Sequence, residues 1–372
     1  MDSKQDLFYT PAGKHYFLAH SIGLQPKATT RALQDHFERP WQSGEEDIWP
    51  QWLEAISAFN HSLASLLNTK ANQICPQSNI SSGLTKVISA LSVDNQRREI
   101  LCTASDFPST GFVLDKAKKM GLKIKRLPKS LDLSDANVWM DHITSDTAAC
   151  FLTHVQYNTN LRLPVETIAH HCRNNGVLSI VDAAQSVGIV PLDLSSTAID
   201  VVLGSSIKWL CGGPGAGYLW LSQTSIERLE PSDVGWFSHE NPFEFDIDHF
   251  QYSKTASRFW GGTPNVAPFV AAAASIDALS QIGFEQIRSH NRRLSTKLMN
   301  ALQPDQISSP IDLDRKGGTV IFKPKNQESL EKQLRSNGIL FDARQYGIRI
   351  SPHIYTTEAD VDRLIALISE QR

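Results

Sequence analysis

Between residues 99 and 221 the chain alternates short runs of strand composition, most of them apolar, with amphipathic stretches of helical period. "EILCTA", ending at Ala104, "LKIKRL", "AACFLTHVQ", ending at Gln156, "VLSIVDAAQ", "IDVVLGSSI" and "AGYLWLS" have strand length and composition. Helical patterns separate them, over Thr110–Gly121 and from Val165 to a stop at Gly176. A strand that is apolar on both parities is buried on both faces. Strands of that kind separated by helices predict an α/β fold, with a mostly parallel sheet covered on two sides. After Pro264 the texture changes. Long helices over Ala267–Gln281 and Phe284–Leu302 lead to "GTVIF", a helix near Ser329–Ser336, "GIRIS" and a last helix from Thr357. This is the pattern of a smaller α+β domain. The expected organisation is an N-terminal segment, 1–45, packed on the small domain or a partner subunit, a large domain, 46–264, and a small domain, 265–372.

With 372 residues, 41% of them hydrophobic, the chain can bury a large core. Its 36 basic and 39 acidic residues give a formal charge of −3 and form no block, which points to neither a nucleic acid nor a membrane surface as partner. Cys75, Cys102, Cys150, Cys172 and Cys211 are widely spaced with no CxxC, the pattern of free thiols in a reducing compartment. The N-terminus has no apolar signal region. A cytoplasmic protein is expected. "AHHC" (170–172) puts its metal-type side chains on adjacent helical positions rather than i, i+4, so no metal site is expected. The carboxylates of "SGEEDIW" have no partner at useful spacing and read as a solvated turn. There is no GxGxxG and no Walker A run.

Three polar features fall where such a sheet binds ligands, at the carboxyl ends of its strands. Asp182 ends one strand run, Lys208 ends another just before "CGGPG", and Ser81 and Ser82 open a helix in "NISSGLTKVISAL". Singly, each has an ordinary reading: a turn aspartate, a solvated lysine, an N-cap. Converging, they would hold a phosphate on a helix N-terminus, a protonated ring nitrogen on a buried carboxylate, and an aldehyde on a desolvated amine. Phosphate, ring nitrogen and aldehyde together describe pyridoxal 5′-phosphate.

"VDAAQSVG" followed by "GSSIKWLCGGPGAGYLWL" closely resembles the aspartate-to-lysine segment of the class V aminotransferase group of fold-type I pyridoxal-phosphate enzymes. Within that group the chain is most similar to kynureninases. "HYFLAHSIGLQPKATTRAL", "DFPST", "VGWFSHE" and "GIRISPHIY" all look like segments of theirs. The resemblance implies a seven-stranded, mostly parallel sheet and a homodimer with active sites at the interface. It implies Lys208 as the Schiff-base lysine and proton carrier, and Asp182 as partner of the ring nitrogen. Ile80, Ser81 and Ser82, with Ser205, would form the phosphate cradle, joined by Thr263 across the dimer. Phe107 would stack on the ring and Gln185 would reach its hydroxyl. Arg349 would bind the substrate α-carboxylate, with Trp236, His239 and His20 on the substrate side.

The pattern departs from kynureninases at four places. Ile207 stands where they have a tyrosine before the lysine, Gln185 where they have a histidine, and His20 where they have an asparagine, while 39–52 matches poorly. The expected activity is a kynureninase-like hydrolysis of a Cβ–Cγ bond. The alternatives are a transaminase, a carbon–sulfur lyase, or a catalytically silent relative that binds the cofactor. A persulfide-forming desulfurase is disfavoured, because the last cysteine is Cys211 and none lies in the C-terminal region.

Overall fold

A computed structural model describes residues 3–44, 46–91 and 97–370. The acidic turn at 43–49 includes Glu45, which lies outside the described residues. Among the described residues, twelve strands run in chain order: β1 (His15–Tyr16), β2 (Ile74–Gln77), β3 (Glu99–Thr103), β4 (Lys123–Leu127), β5 (Thr147–Thr153), β6 (Leu178–Asp182), β7 (Val201–Ser205), β8 (Gly217–Leu221), β9 (Val320–Phe322), β10 (Ile339–Leu340), β11 (Asp342–Arg344) and β12 (Gly347–Ile350). Seven of them form one sheet in the order β2-β8-β7-β6-β5-β3-β4, in which β8 alone runs against the rest. This is the seven-stranded, mostly parallel sheet expected from the sequence.

The apolar parity of the strands makes the two faces. Leu101, Cys150, Leu152, Val181 and Val202 face the helices Trp49–Leu67, Val165–Asn174 and Ala267–Ile282. Ile100, Cys102, Phe151, Ile180 and Leu203 point the other way, toward the helices Ile80–Ser89 and Pro108–Ala117. Phe59 and Phe269, with ring centroids 5.1 Å apart, lock two helices of the first face together. Because β3 to β7 run parallel, their carboxyl ends share one edge of the sheet, where Asp182 and Ser205 end their strands.

The C-terminal part forms a three-stranded antiparallel sheet, β11-β12-β9. It packs on the helices Phe284–Asn300, Gln327–Ser336 and Glu358–Ser369 through Leu294, Phe322, Leu334, Ile350 and Leu364. The N-terminal residues lie along it. β1 pairs in parallel with β10, and Ser351 N–H donates to Phe17 C=O at 3.0 Å. The same stretch then crosses to the large sheet, where Gly23 N–H donates to Ile207 C=O at 2.8 Å. A Cβ on Gly23 would lie 2.3 Å from the Lys208 carbonyl oxygen, so only glycine allows this approach. Among the described residues, no single helix is long and apolar enough to cross a membrane.

Candidate active site

β7 ends at Ser205, two residues earlier than "IDVVLGSSI" suggests, and Lys208 sits on the turn beyond it. Two backbone bonds close that turn, Cys211 N–H to Lys208 C=O at 3.0 Å and Gly212 N–H to Ser206 C=O at 2.8 Å. The chain needs a left-handed residue to make it, and Cys211 adopts φ 53°. His353 holds the next residue, with Nε2 3.0 Å from the Trp209 carbonyl oxygen. The lysine is thus fixed at its root.

Burial holds the Lys208 amine below its ordinary pKa; Asp182 pulls it back up and Arg349 pushes it further down. Asp182 ends β6 and is buried, with Oδ1 accepting from Ala184 N–H at 2.9 Å. Burial raises the Asp182 carboxyl pKa, opposed by the Ala184 N–H and by Lys208. Each group therefore carries a charge that its surroundings disfavour. A buried carboxylate seeking a cation and a buried amine biased toward its neutral form are suited to a cationic ring nitrogen and an aldehyde.

The Phe107 ring lies with its centroid 5.9 Å from Lys208 Nζ. It is about half exposed, and Tyr157 meets it edge-on at 5.1 Å. An aromatic face left open beside the amine suits a flat ring. Phe107 is held by its neighbour Asp106, which accepts from Thr103 N–H at 2.8 Å and from the Thr153 hydroxyl at 2.7 Å. Burial raises the pKa of Asp106 to about 6. A raised carboxyl pKa stabilises the fold below the unfolded value, and that stability is lost as pH rises through the folded one. The thermal midpoint of cofactor-free protein should therefore fall between about pH 4 and 6, and Asp106→Asn should flatten that slope. Equal slopes in the two proteins would remove Asp106 as the cause.

The helix Ile80–Ser89 follows β2. Its N-cap is Asn79, whose Oδ1 accepts from Ser82 N–H at 2.9 Å. Half-buried Ile80, Ser81 and Ser82 form its first turn, the donor-rich end of the helix dipole. Ser205 is also half-buried, at the end of β7. Thr263 is exposed, and two residues on Asn265 Nδ2 lies 3.5 Å from Ser78 Oγ, beside the same helix start. Lys86, within the helix, donates to the carbonyls of Phe259 and Trp260 at 2.9 and 2.8 Å. The turn carrying Thr263 is thereby tied to the helix.

Gln185 is buried, its Nε2 donating to His20 C=O at 2.9 Å and its Oε1 accepting from Trp209 Nε1 at 3.3 Å. Arg349 on β12 is buried and donates to both carboxylate oxygens of Asp342 and, through Nη1, to Tyr157 C=O at 2.7 Å. The structure so brings together Lys208, Asp182, Phe107, Gln185, His20 and Arg349. Trp236 and His239 lie on a different feature, an aromatic loop over 234–250. Trp236 packs there on Trp49, Phe237, Phe243 and Phe245, and both ring nitrogens of His239 meet loop backbone. Sequence reasoning missed Asp342, Asp106, Tyr157, Asn79 and Lys86. The signal for Asp342 was present in the spacing "DARQYGIR", a tight hairpin that puts residue 342 opposite residue 349.

A desolvated lysine, a buried carboxylate, an open aromatic face and a helix N-terminus on one edge of a parallel sheet define a pyridoxal-phosphate enzyme of fold type I. The comparisons with known proteins agree. The model of the family "Aminotransferase class-V" matches residues 24–364. Curated relatives include kynureninase of Deinococcus radiodurans, 26% identical with 98% of this chain and 92% of that protein covered. Another is the uncharacterized aminotransferase YcbU of Bacillus subtilis, 24% identical with 90% and 88% covered. Among solved structures, a cysteine desulfurase from Thermococcus onnurineus superposes with TM-score 0.87 at 20% identity, covering 100% of this chain and 98% of that one. A variant of the cystine C–S lyase C-DES, with glycine covalently linked to its pyridoxal-phosphate cofactor, superposes with TM-score 0.89 at 22% identity and 99% coverage of both chains. The chain belongs to the class V aminotransferase family, and its cofactor is pyridoxal 5′-phosphate.

Proposed function

We propose that the protein is a kynureninase-like hydrolase, which uses water to split the Cβ–Cγ bond of an L-α-amino acid at a γ-carbonyl. L-Kynurenine would give anthranilate and L-alanine. The likeness to kynureninase over 98% of the chain carries this reading. The bound cofactor supplies an electron sink conjugated to the substrate Cα. Lys208 would hold the cofactor and then move the proton at Cα. Asp182 would keep the pyridine nitrogen protonated. Phe107 would offer its face to the ring and Gln185 would serve its hydroxyl. Ile80, Ser81, Ser82 and Ser205 bind the phosphate, joined by Thr263 of a second copy in a homodimer. Arg349 would hold the α-carboxylate, with buried His20 behind it against Asp342. The three regions 1–45, 46–264 and 265–372 act as arm, cofactor domain and carboxylate-holding domain of a cytoplasmic enzyme.

One residue favours a second reading. Ile207 precedes the lysine with no hydroxyl to offer, and a γ-carbonyl needs an acid. A carbon–sulfur lyase, which eliminates a thiol from Cβ, has no such need. Purified protein loaded with pyridoxal phosphate should release anthranilate and alanine from L-kynurenine. Pyruvate and a thiol from a cysteine conjugate, with kynurenine inert, would establish the lyase instead. Conversion of the cofactor to pyridoxamine phosphate would establish a transaminase.

A further inference from the structure

The arginine that meets the substrate carboxylate in the proposed reaction already holds a carboxylate of its own. Asp342 and Arg349 are directly opposed across the antiparallel pair β11–β12, so their side chains share a face. Arg349 Nε donates to Asp342 Oδ1 at 2.7 Å, and Nη2 donates to Oδ2 at 2.5 Å. That is the side-on fork of the guanidinium, fully used. Nη1 gives one more N–H to Tyr157 C=O. Of five N–H groups, two are left, one on each terminal nitrogen.

The carboxylate is braced from behind. Although burial works against it, the Arg349 and His20 hydrogen bonds hold the Asp342 carboxyl well below its ordinary range, so it only accepts. His20 Nε2, 3.0 Å away, must then carry a proton and donate. Burial keeps the second proton off His20, lowering its pKa to about 4. Its Nδ1, 2.6 Å from Ser351 Oγ, is therefore an acceptor. Ser351 donates there and takes the Thr319 hydroxyl proton in turn, at 2.8 Å. The relay Thr319–Ser351–His20–Asp342 has one self-consistent direction, and it ends on the arginine. The charged groups facing it are Arg349, Asp342 and Lys208, with Arg344 Nε 3.5 Å from Asp342 Oδ2 on the solvent side.

We propose that Asp342, braced by neutral His20, is the positioning residue of Arg349: it fills the side-on fork and leaves a substrate carboxylate only the Nη1 and Nη2 edge. This rests on the reading of Arg349 as the carboxylate holder. The pair is neutral overall, so it attracts an anion weakly at long range and recognises it by hydrogen-bond geometry.

The test has two arms. In the first, cofactor-free protein is titrated with acetate and thermal stabilisation is followed. Asp342→Asn frees a second fork and should bind acetate about tenfold more tightly than the parent, the equivalent of one charge-assisted hydrogen bond. Arg349→Gln should abolish the response. In the second, kcat and KM are measured separately on whichever amino acid the loaded protein consumes. Asp342→Asn should lower KM while kcat falls about tenfold, because the carboxylate is held but the arginine is no longer fixed. His20→Asn, which keeps a donor, should change both in the same sense by less, and it serves if Asp342→Asn folds poorly. Acetate affinity unchanged in Asp342→Asn, or kcat unchanged with KM raised, overturns the proposal. If no amino acid is consumed, the proposed function fails while the acetate arm still decides the role of Asp342.

Discussion

Lys208→Ala is expected to fold normally, to carry no covalently attached cofactor, and to turn over at least about 10³-fold more slowly than the parent. The fold can spare the side chain. Among the described residues its ammonium makes no hydrogen bond or ion pair, and its nearest aromatic neighbour, Phe107, is a ring face 5.9 Å away. The turn that presents it is closed by backbone bonds from Cys211 and Gly212 that alanine retains. The proposed chemistry cannot spare it, because burial lowers its pKa and so favours the neutral amine that can attack an aldehyde and accept a proton. Borohydride reduction of loaded parent protein, followed by peptide mass mapping, should find the pyridoxyl group on Lys208, and the variant should carry none. Added methylamine should restore part of the rate to the variant by standing in for the missing amine. A tag on another lysine in the parent, or a variant with full activity, would refute the assignment of Lys208.

What could be read from the sequence follows from how local each signal is. The central strands were visible because burial on both faces leaves an unbroken apolar run, and "VLSIVD" becomes β6 from its second residue, Leu178, to Asp182. β2 was overlooked because "ICPQ" is four residues long and contains a proline, tolerated there at the edge of the sheet. Lys208 and Asp182 stand out locally, since a charge in an apolar run is costly without a role. Their braces do not. Asp342 lies only 7 residues from its partner, within a readable hairpin, but Tyr157 and His353 act through partners 192 and 144 residues away in sequence, and no periodicity encodes such pairs. The N-terminal arm is the extreme case. Its contact with the lysine turn depends on Gly23, one glycine among 21.

Asp182→Asn is expected to act in opposite directions on the empty and the loaded protein. Burial raises the Asp182 carboxyl pKa, so its ionised form is a load on the empty fold. The sign follows from linkage: stability present below the unfolded pKa is lost as pH rises through the folded one. Asparagine retains an oxygen for the Ala184 N–H and never ionises, so cofactor-free variant should melt at the same temperature as the parent or higher at pH 7. With cofactor bound the balance reverses. The carboxylate then faces a pyridinium, and a neutral amide offers that cation no countercharge. Turnover should fall by about 10²–10³-fold, the size of effect found when one preorganised electrostatic partner is removed. The rise in melting temperature on adding cofactor should shrink accordingly. A simple turn or capping aspartate makes a different forecast, in which asparagine lowers both melting curves equally and spares the rate. Melting the two proteins with and without pyridoxal phosphate separates the cases. An unchanged cofactor-induced shift in Asp182→Asn would mean that the carboxylate does not meet the ring nitrogen.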